Sequence, residues 1–236
     1  MITMRPAAER GHADHGWLNA NHTFSFGSYS DPKHNGFRSL RVLNDDRIAG
    51  GRGFGAHAHR DMEIITYVLS GALQHKDSMG QAQILEPNTI QVMSAGDGVI
   101  HSEFNASKTE ELHLLQVWIT PAVEDVEPSY QEFRYDPQEK HGRAKLIAGP
   151  DRNPGERAAF IHQDARMYAS VLGAGESLEQ PIDQGRYAWV QCAAGNITLN
   201  GHPMQEGDGA AVSEEQALHV VGAAPGGGEF LMFDLA

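Results

Sequence analysis

The stretch Gly53–Gly71, GFGAHAHRDMEIITYVLSG, places His57 and His59 one residue apart, just before an apolar run that reads as a β-strand. Residues i and i+2 of a strand face the same way. Two imidazoles on one face, flanked by apolar residues, cost stability unless something satisfies them, and a metal ion does this well. A second stretch, SAGDGVIHSEFN from Ser94 to Asn105, repeats the spacing with His101 and Glu103. Two antiparallel strands on one inner barrel wall would bring the pairs together. The product is three neutral nitrogen donors and one carboxylate, with room for water or substrate. That set suits Fe(II), and also Cu, Ni, Mn, Co or Zn as the divalent ion. An HxH pair alone is equally well explained by two hydrogen-bonded histidines. HxH followed by HxE, each beside a glycine-rich turn, is the stronger pattern.

Outward from these motifs, the chain reads as short β runs broken by Gly, Asn, Asp and Pro. The clear runs are Ser39–Asn44, Glu63–Leu69, Thr89–Ser94, Leu112–Thr120 and Ala144–Gly149, then Tyr168–Leu172, Tyr187–Ala193, Asn196–Asn200, Gly209–Ser213, Ala217–Gly222 and Phe230–Leu235. Long amphipathic helices are scarce. The expected class is all-β, with two tandem jelly-roll-type β-barrels. Thr120–Pro154, rich in proline and charge, reads as the connector, and the expected domains are 1–134 and 135–236. The halves share a weak pattern of strand, glycine turn and strand, seen in TYVLSGALQHKDSMG and AWVQCAAGNITLNG, which suggests a duplicated unit. Aligning Gly71 with Gly195 puts Pro181 and Asp183 where the first half has His57 and His59. The second unit therefore reads as lacking metal ligands, with isolated His202 and His219 as turn and strand residues.

The 236 residues are enough for a core that needs neither disulfide nor metal to fold. Cys192 is the sole cysteine, which fits a reducing compartment and reads as a small buried filler. The first residues lack a signal-like apolar stretch, and no run is long enough to span a membrane, so a cytoplasmic protein is expected. The formal net charge of -13, with no Lys/Arg cluster, argues against direct nucleic-acid binding. His12, His15, His22 and His34 read as surface or turn residues. His75, in HKDSMG, and His113 read as either neighbours of the site or core residues.

Gly51, His57-x-His59, Glu63 and Gly71 resemble the first cupin motif, and Gly98, His101 and Asn105 resemble the second. Two departures stand out: the last glycine of the first motif sits one residue late, and Gly96 replaces a usual proline. More specifically, HGWLNANHTFSFGSYSDP, GFGAHAHRDMEIITYVLSG, HKDSMG, SAGDGVIHSEFN and LHLLQVWI together resemble the pirin family of bicupins. The resemblance is specific over the N-terminal half and loose over the rest. It implies one iron-type mononuclear centre held by His57, His59, His101 and Glu103. Cupins in general take their carboxylate from the first motif, here Glu63, whereas the pirin pattern takes it from HxE, here Glu103. The i, i+2 spacing favours Glu103. In a regular strand Glu63 shares the face of His59, as a partner orienting an imidazole or a carboxylate at the barrel mouth.

Pirin-like bacterial chains resemble quercetin 2,3-dioxygenases. That resemblance implies cleavage of a flavonol with O2, releasing CO and a depside, with Glu103 taking the 3-hydroxyl proton as general base. Phe54, Met93 and Phe104 are candidates for packing the substrate's rings, each weighed against ordinary core. The alternative is a non-enzymatic, redox-sensing regulatory protein that binds a protein partner. Two barrels in one chain lead to the expectation of a monomer.

Overall fold

The computed structural model describes residues 1–151 and 157–236. In chain order the first half contains β1 (Ile2–Arg5), β2 (Gly11–Asp14), β3 (Leu18–His22), β4 (Leu40–Ile48), β5 (Gly53–His59) and β6 (Glu63–Ser70), then β7 (Leu73–Asp77), β8 (Ala82–Leu85), β9 (Thr89–Ser94), β10 (Val99–Asn105), β11 (Leu112–Ile119) and β12 (Ser129–Arg134). The second half contains β13 (Lys145–Gly149), β14 (Ala159–Phe160), β15 (Ala165–Leu172), β16 (Ser177–Pro181), β17 (Tyr187–Leu199), β18 (His202–Gln205), β19 (Gly209–Val212), β20 (Ala217–Gly222) and β21 (Gly228–Leu235). The architecture is all-β, with the strands of the two halves forming separate sheets apart from β1. Among the described residues no helix is long and apolar enough to cross a membrane.

The first domain is two sheets packed face to face. One has four strands in the order β5-β10-β7-β8; the other has seven, in the order β12-β9-β6-β11-β4-β3-β2. Leu73 and Leu85 of the small sheet meet Leu18, Ile48, Val68, Leu112 and Leu114 of the large one. The far face of the large sheet is also covered. Leu43, Ile65, Tyr67, Val92, Leu115 and Val117 pack there against Ile147, Met167, Trp189, Leu231 and Phe233 of the second domain. Burial on both faces explains why β6 and β11 read as near-continuous apolar runs. In the small sheet the pattern alternates: along β10, Val99, His101, Glu103 and Asn105 point inward, while Ile100 and Phe104 point out.

The second domain repeats the plan with a different filling. Its long strand β17 pairs β19 and β21 along its first part and β18 and β20 along its last part. It therefore runs as one strand through the Gly195 position, with a bulge between Cys192 and Ala194, where the sequence suggested two strands and a turn. The β16–β20 pair occupies the place of β5–β10. There Leu218 and Val220 join an apolar cluster with Leu178, and His219 points outward. Cys192 is part of that cluster, and burial pushes its thiol up to about 12.

Two expectations need correction. The boundary after residue 134 coincides with the end of β12, but β1 is not part of the first domain's sheets. It pairs antiparallel with β19, Ile2 opposite Val212, and is a strand of the second sheet. Within the Thr120–Pro154 connector lie β12 and a single 3-10 turn at Pro137–Lys140 capped by Asp136, and the expected run Ala144–Gly149 is β13; the connector's end lies outside the described residues. His22 is buried on β3, where its Nδ1 meets the Asn44 Oδ1 at 2.9 Å, rather than lying in a surface turn.

Gly71 and Gly195, matched by position in the two halves, share a backbone constraint. Both sit at positive φ, 79° and 71°. A Cβ on Gly71 would lie 2.7 Å from the Glu111 carbonyl oxygen, and one on Gly195 would collide with the Gly227 carbonyl oxygen. Gly80 has φ 92° but open space around it. Urea unfolding should therefore show Gly71→Ala and Gly195→Ala each costing about 2 kcal/mol or more, and Gly80→Ala about 1 kcal/mol.

Candidate metal centre

The centre begins with strand register. β5 and β10 run antiparallel, and His57 lies directly opposite His101. Their rings are 4.4 Å apart between centroids, and the His59 ring is 4.8 Å from each. The three candidate ligand atoms lie within 4.8 Å of one another. A glycine makes the approach of the two strands close: a Cβ at Gly53 would collide with the backbone carbonyl of Glu103.

The hydrogen-bond pattern leaves lone pairs for an ion. His57 Nδ1 donates to the Gly55 carbonyl oxygen at 2.8 Å, which directs the bare nitrogen inward. His101 is almost fully buried, yet neither of its ring nitrogens has a hydrogen-bond partner. Burial, then the neighbouring histidines, lower its pKa to about 3; burial and His57 lower that of His59 to about 4. Both are neutral imidazoles at ordinary pH. Imidazole nitrogens converging on one point, with both of those on buried His101 unpartnered, are a donor set that a transition-metal ion takes.

Glu103 is next to this triplet but not inside it. Its carboxylate accepts from Gln116 Nε2 at 3.1 and 3.2 Å and from Thr66 Oγ1 at 3.4 Å, and burial raises its pKa. With His101 and His75 it forms a second buried triplet of equal closeness. His75 Nε2 donates to Asp77 at 3.0 Å, leaving Nδ1 unpartnered. His101 belongs to both groups.

The centre opens into a cavity of about 470 Å³. Its walls include two edge-to-face aromatic pairs: Trp17 with Phe54, 5.4 Å between centroids, and Phe26 with Trp118, 5.3 Å. Asn44, Asp46 and Gln116 add a polar strip from the large sheet.

The structure separates the remaining candidates. Phe54 lines the cavity. Phe104 does not: it is one residue out of step with His101 and Glu103 and points to solvent. Met93 is buried beneath the site among Ile64, Ala95 and Val99. Glu63 faces away. β5 and β6 belong to different sheets, so the even spacing from His59 does not give a shared face. The Glu63 carboxylate accepts instead from Ser94 Oγ at 2.6 Å and His162 Nδ1 at 2.9 Å, across the domain boundary. It does orient an imidazole, but one from the second domain. His113 donates to Asp45 at 2.7 Å, away from the centre.

The pirin family model matches residues 3–119, and the model of the quercetinase C-terminal cupin domain matches residues 146–235. The chain is 45% identical over 235 residues to the quercetin 2,3-dioxygenase of Escherichia coli K12, covering 100% of this chain and 99% of that one. This chain belongs to the pirin family. Among solved pirins, it superposes on the crystal structure of YhhW from E. coli with a TM-score of 0.94 at 44% identity, covering 100% of this chain and 98% of that one. The nickel(II) complex of bacterial pirin YhhW from E. coli gives a TM-score of 0.92, also at 44% identity, with 100% and 99% coverage.

The sequence did not single out Trp17, Phe26, Asn44, Asp46, Gln116 and Trp118 as lining this pirin's cavity. The available signal was period-2 alternation. Polar Asn44, Asp46, Thr66 and Gln116 interrupt otherwise apolar buried strands on one face. If the three imidazoles are the ligands, elemental analysis should find about one metal per chain in the loaded protein, and His101→Ala should abolish it. Glu63→Gln should leave the metal content unchanged, and loss of metal in that variant would move the site.

Proposed function

We propose that this chain is a mononuclear metal-dependent dioxygenase that cleaves a flavonol such as quercetin with O2, releasing CO and a depside. The observation that carries the reading is the convergence of His57, His59 and His101 on the wall of an aromatic-lined cavity, with the Glu103 carboxylate beside them. The name and near-complete coverage of the E. coli relative support it. The proposed ligands are His57, His59, His101 and Glu103. The nickel(II) complex of the relative supports a divalent ion, and one Fe(II) per chain is the resident ion we propose.

When bound, the ion supplies Lewis-acid polarisation of the flavonol oxygens and a route for electrons to O2. The protein's own groups supply the rest. Glu103 accepts the 3-hydroxyl proton as general base. Gln116 holds the Glu103 carboxylate in place through its amide. The Trp17–Phe54 and Phe26–Trp118 pairs hold a flat ring system between them and keep water from the reacting carbons. The cavity volume falls within the roughly 300–1,000 Å³ of small-ligand sites.

The test is oxygen uptake and CO release on quercetin, using tag-free protein loaded anaerobically with Fe(II). Flavonol-dependent uptake is expected, lost in His57→Ala and reduced about 100-fold or more in Glu103→Gln. A full complement of metal with no uptake would refute the dioxygenase.

A further inference from the structure

Along β4, Asn44 and Asp46 point into the cavity, and on the neighbouring strand β11 Gln116 sits directly opposite Asn44. Two of these three polar side chains are already engaged. Asn44 Oδ1 meets His22 Nδ1, and the Gln116 amide is given to Glu103. Asp46 differs. It is 6% exposed, and its Oδ1 has no hydrogen-bond partner. The adjacent Asp45, on the opposite face, takes both nearby donors: Arg10 at 3.1 Å and His113 at 2.7 Å. Asp46 is left with no cation.

A buried carboxyl without partners is a desolvation cost that an apolar residue would avoid. Its position on the wall of a ligand cavity gives that cost a use. Burial, with the negative charges of Asp45 and Glu103, raises Asp46 to about 8. A neutral carboxyl offers one donor and one acceptor, the complement of a phenol hydroxyl. The aromatic pairs described above present flat surfaces to the ring that would carry it.

We propose that Asp46 hydrogen-bonds a ring hydroxyl of the substrate remote from its metal-directed oxygens, and so selects polyhydroxylated aromatic substrates. This rests on the proposed reading of the cavity as a flavonol site. Asp46 is then a specificity-determining residue: a site built around a substrate hydroxyl discriminates against the analogue that lacks it.

The test compares quercetin with 3-hydroxyflavone, which keeps the 3-hydroxy-4-oxo pair and lacks the other hydroxyls. Calorimetry on metal-loaded protein gives the affinity ratio independently of turnover. The wild type should prefer quercetin by about tenfold or more. Asp46→Leu should reduce the preference to within about threefold, and Asp46→Asn, which keeps a donor and an acceptor, should retain part of it. Thermal melts check that both variants fold. Equal binding of the two compounds by the wild type, binding of neither, or an unchanged preference in Asp46→Leu would overturn the proposal. Oxygen uptake is read separately. Preference without uptake would refute the dioxygenase and leave the role of Asp46 standing. Uptake with an unchanged preference in Asp46→Leu would refute only the role of Asp46.

Discussion

The pairing of β5 with β10 is the constraint on which the site depends. β5 is an edge strand; its one partner is β10. The register sets His57 opposite His101, and period-2 alternation brings His59 and Glu103 to the same inner side. The absence of a side chain at Gly53 lets the β5 backbone lie against Glu103. A one-residue slip would turn His57 and His59 outward and Ala56 and Ala58 inward. The imidazoles are not attracted to one another. Backbone hydrogen bonds between the strands hold them at 4.4–4.8 Å separations, and the ring nitrogens of buried His101 stay without partners.

That small sheet is held in turn by the seven-stranded sheet behind it, whose two faces do different work. One face carries Asn44, Asp46, Thr66, Gln116 and Trp118 toward the centre. The other is an apolar wall against the second domain. Polar ties cross there: Glu63 to His162, and Tyr67 to both Lys140 and Glu229. The second domain has the same plan, but its inner space is filled by Leu218, Val220 and their neighbours. It serves as a backing for the sheet that carries the polar half of the cavity, and β1, crossing to join β19, fastens the chain's start to it.

What the sequence disclosed followed physical reach. The i, i+2 pairs were legible because alternation within one strand is local, so the convergence of His57, His59 and His101 was foreseeable. Glu63 was not, because parity across Arg60–Met62 fails when the chain leaves one sheet for another. The same parity argument applied to β10 would have sent Phe104 outward. Trp17, Phe26 and Asp46 come from strands and loops distant in sequence, and only the packing of the two sheets brings them to one cavity. The missing histidines of the second domain were readable directly. The crossing of β1 to the second sheet was not, since four residues carry too little pattern to name a partner.

The central claim is that three imidazoles from β5 and β10 hold one metal ion. X-ray absorption at the metal edge of the Fe(II)-loaded protein tests it most directly. The account predicts a shell at roughly 2.0–2.2 Å whose multiple scattering requires three imidazoles, reduced to two in His59→Ala. A spectrum fitted by one imidazole or none, or one unchanged in His59→Ala, would contradict it.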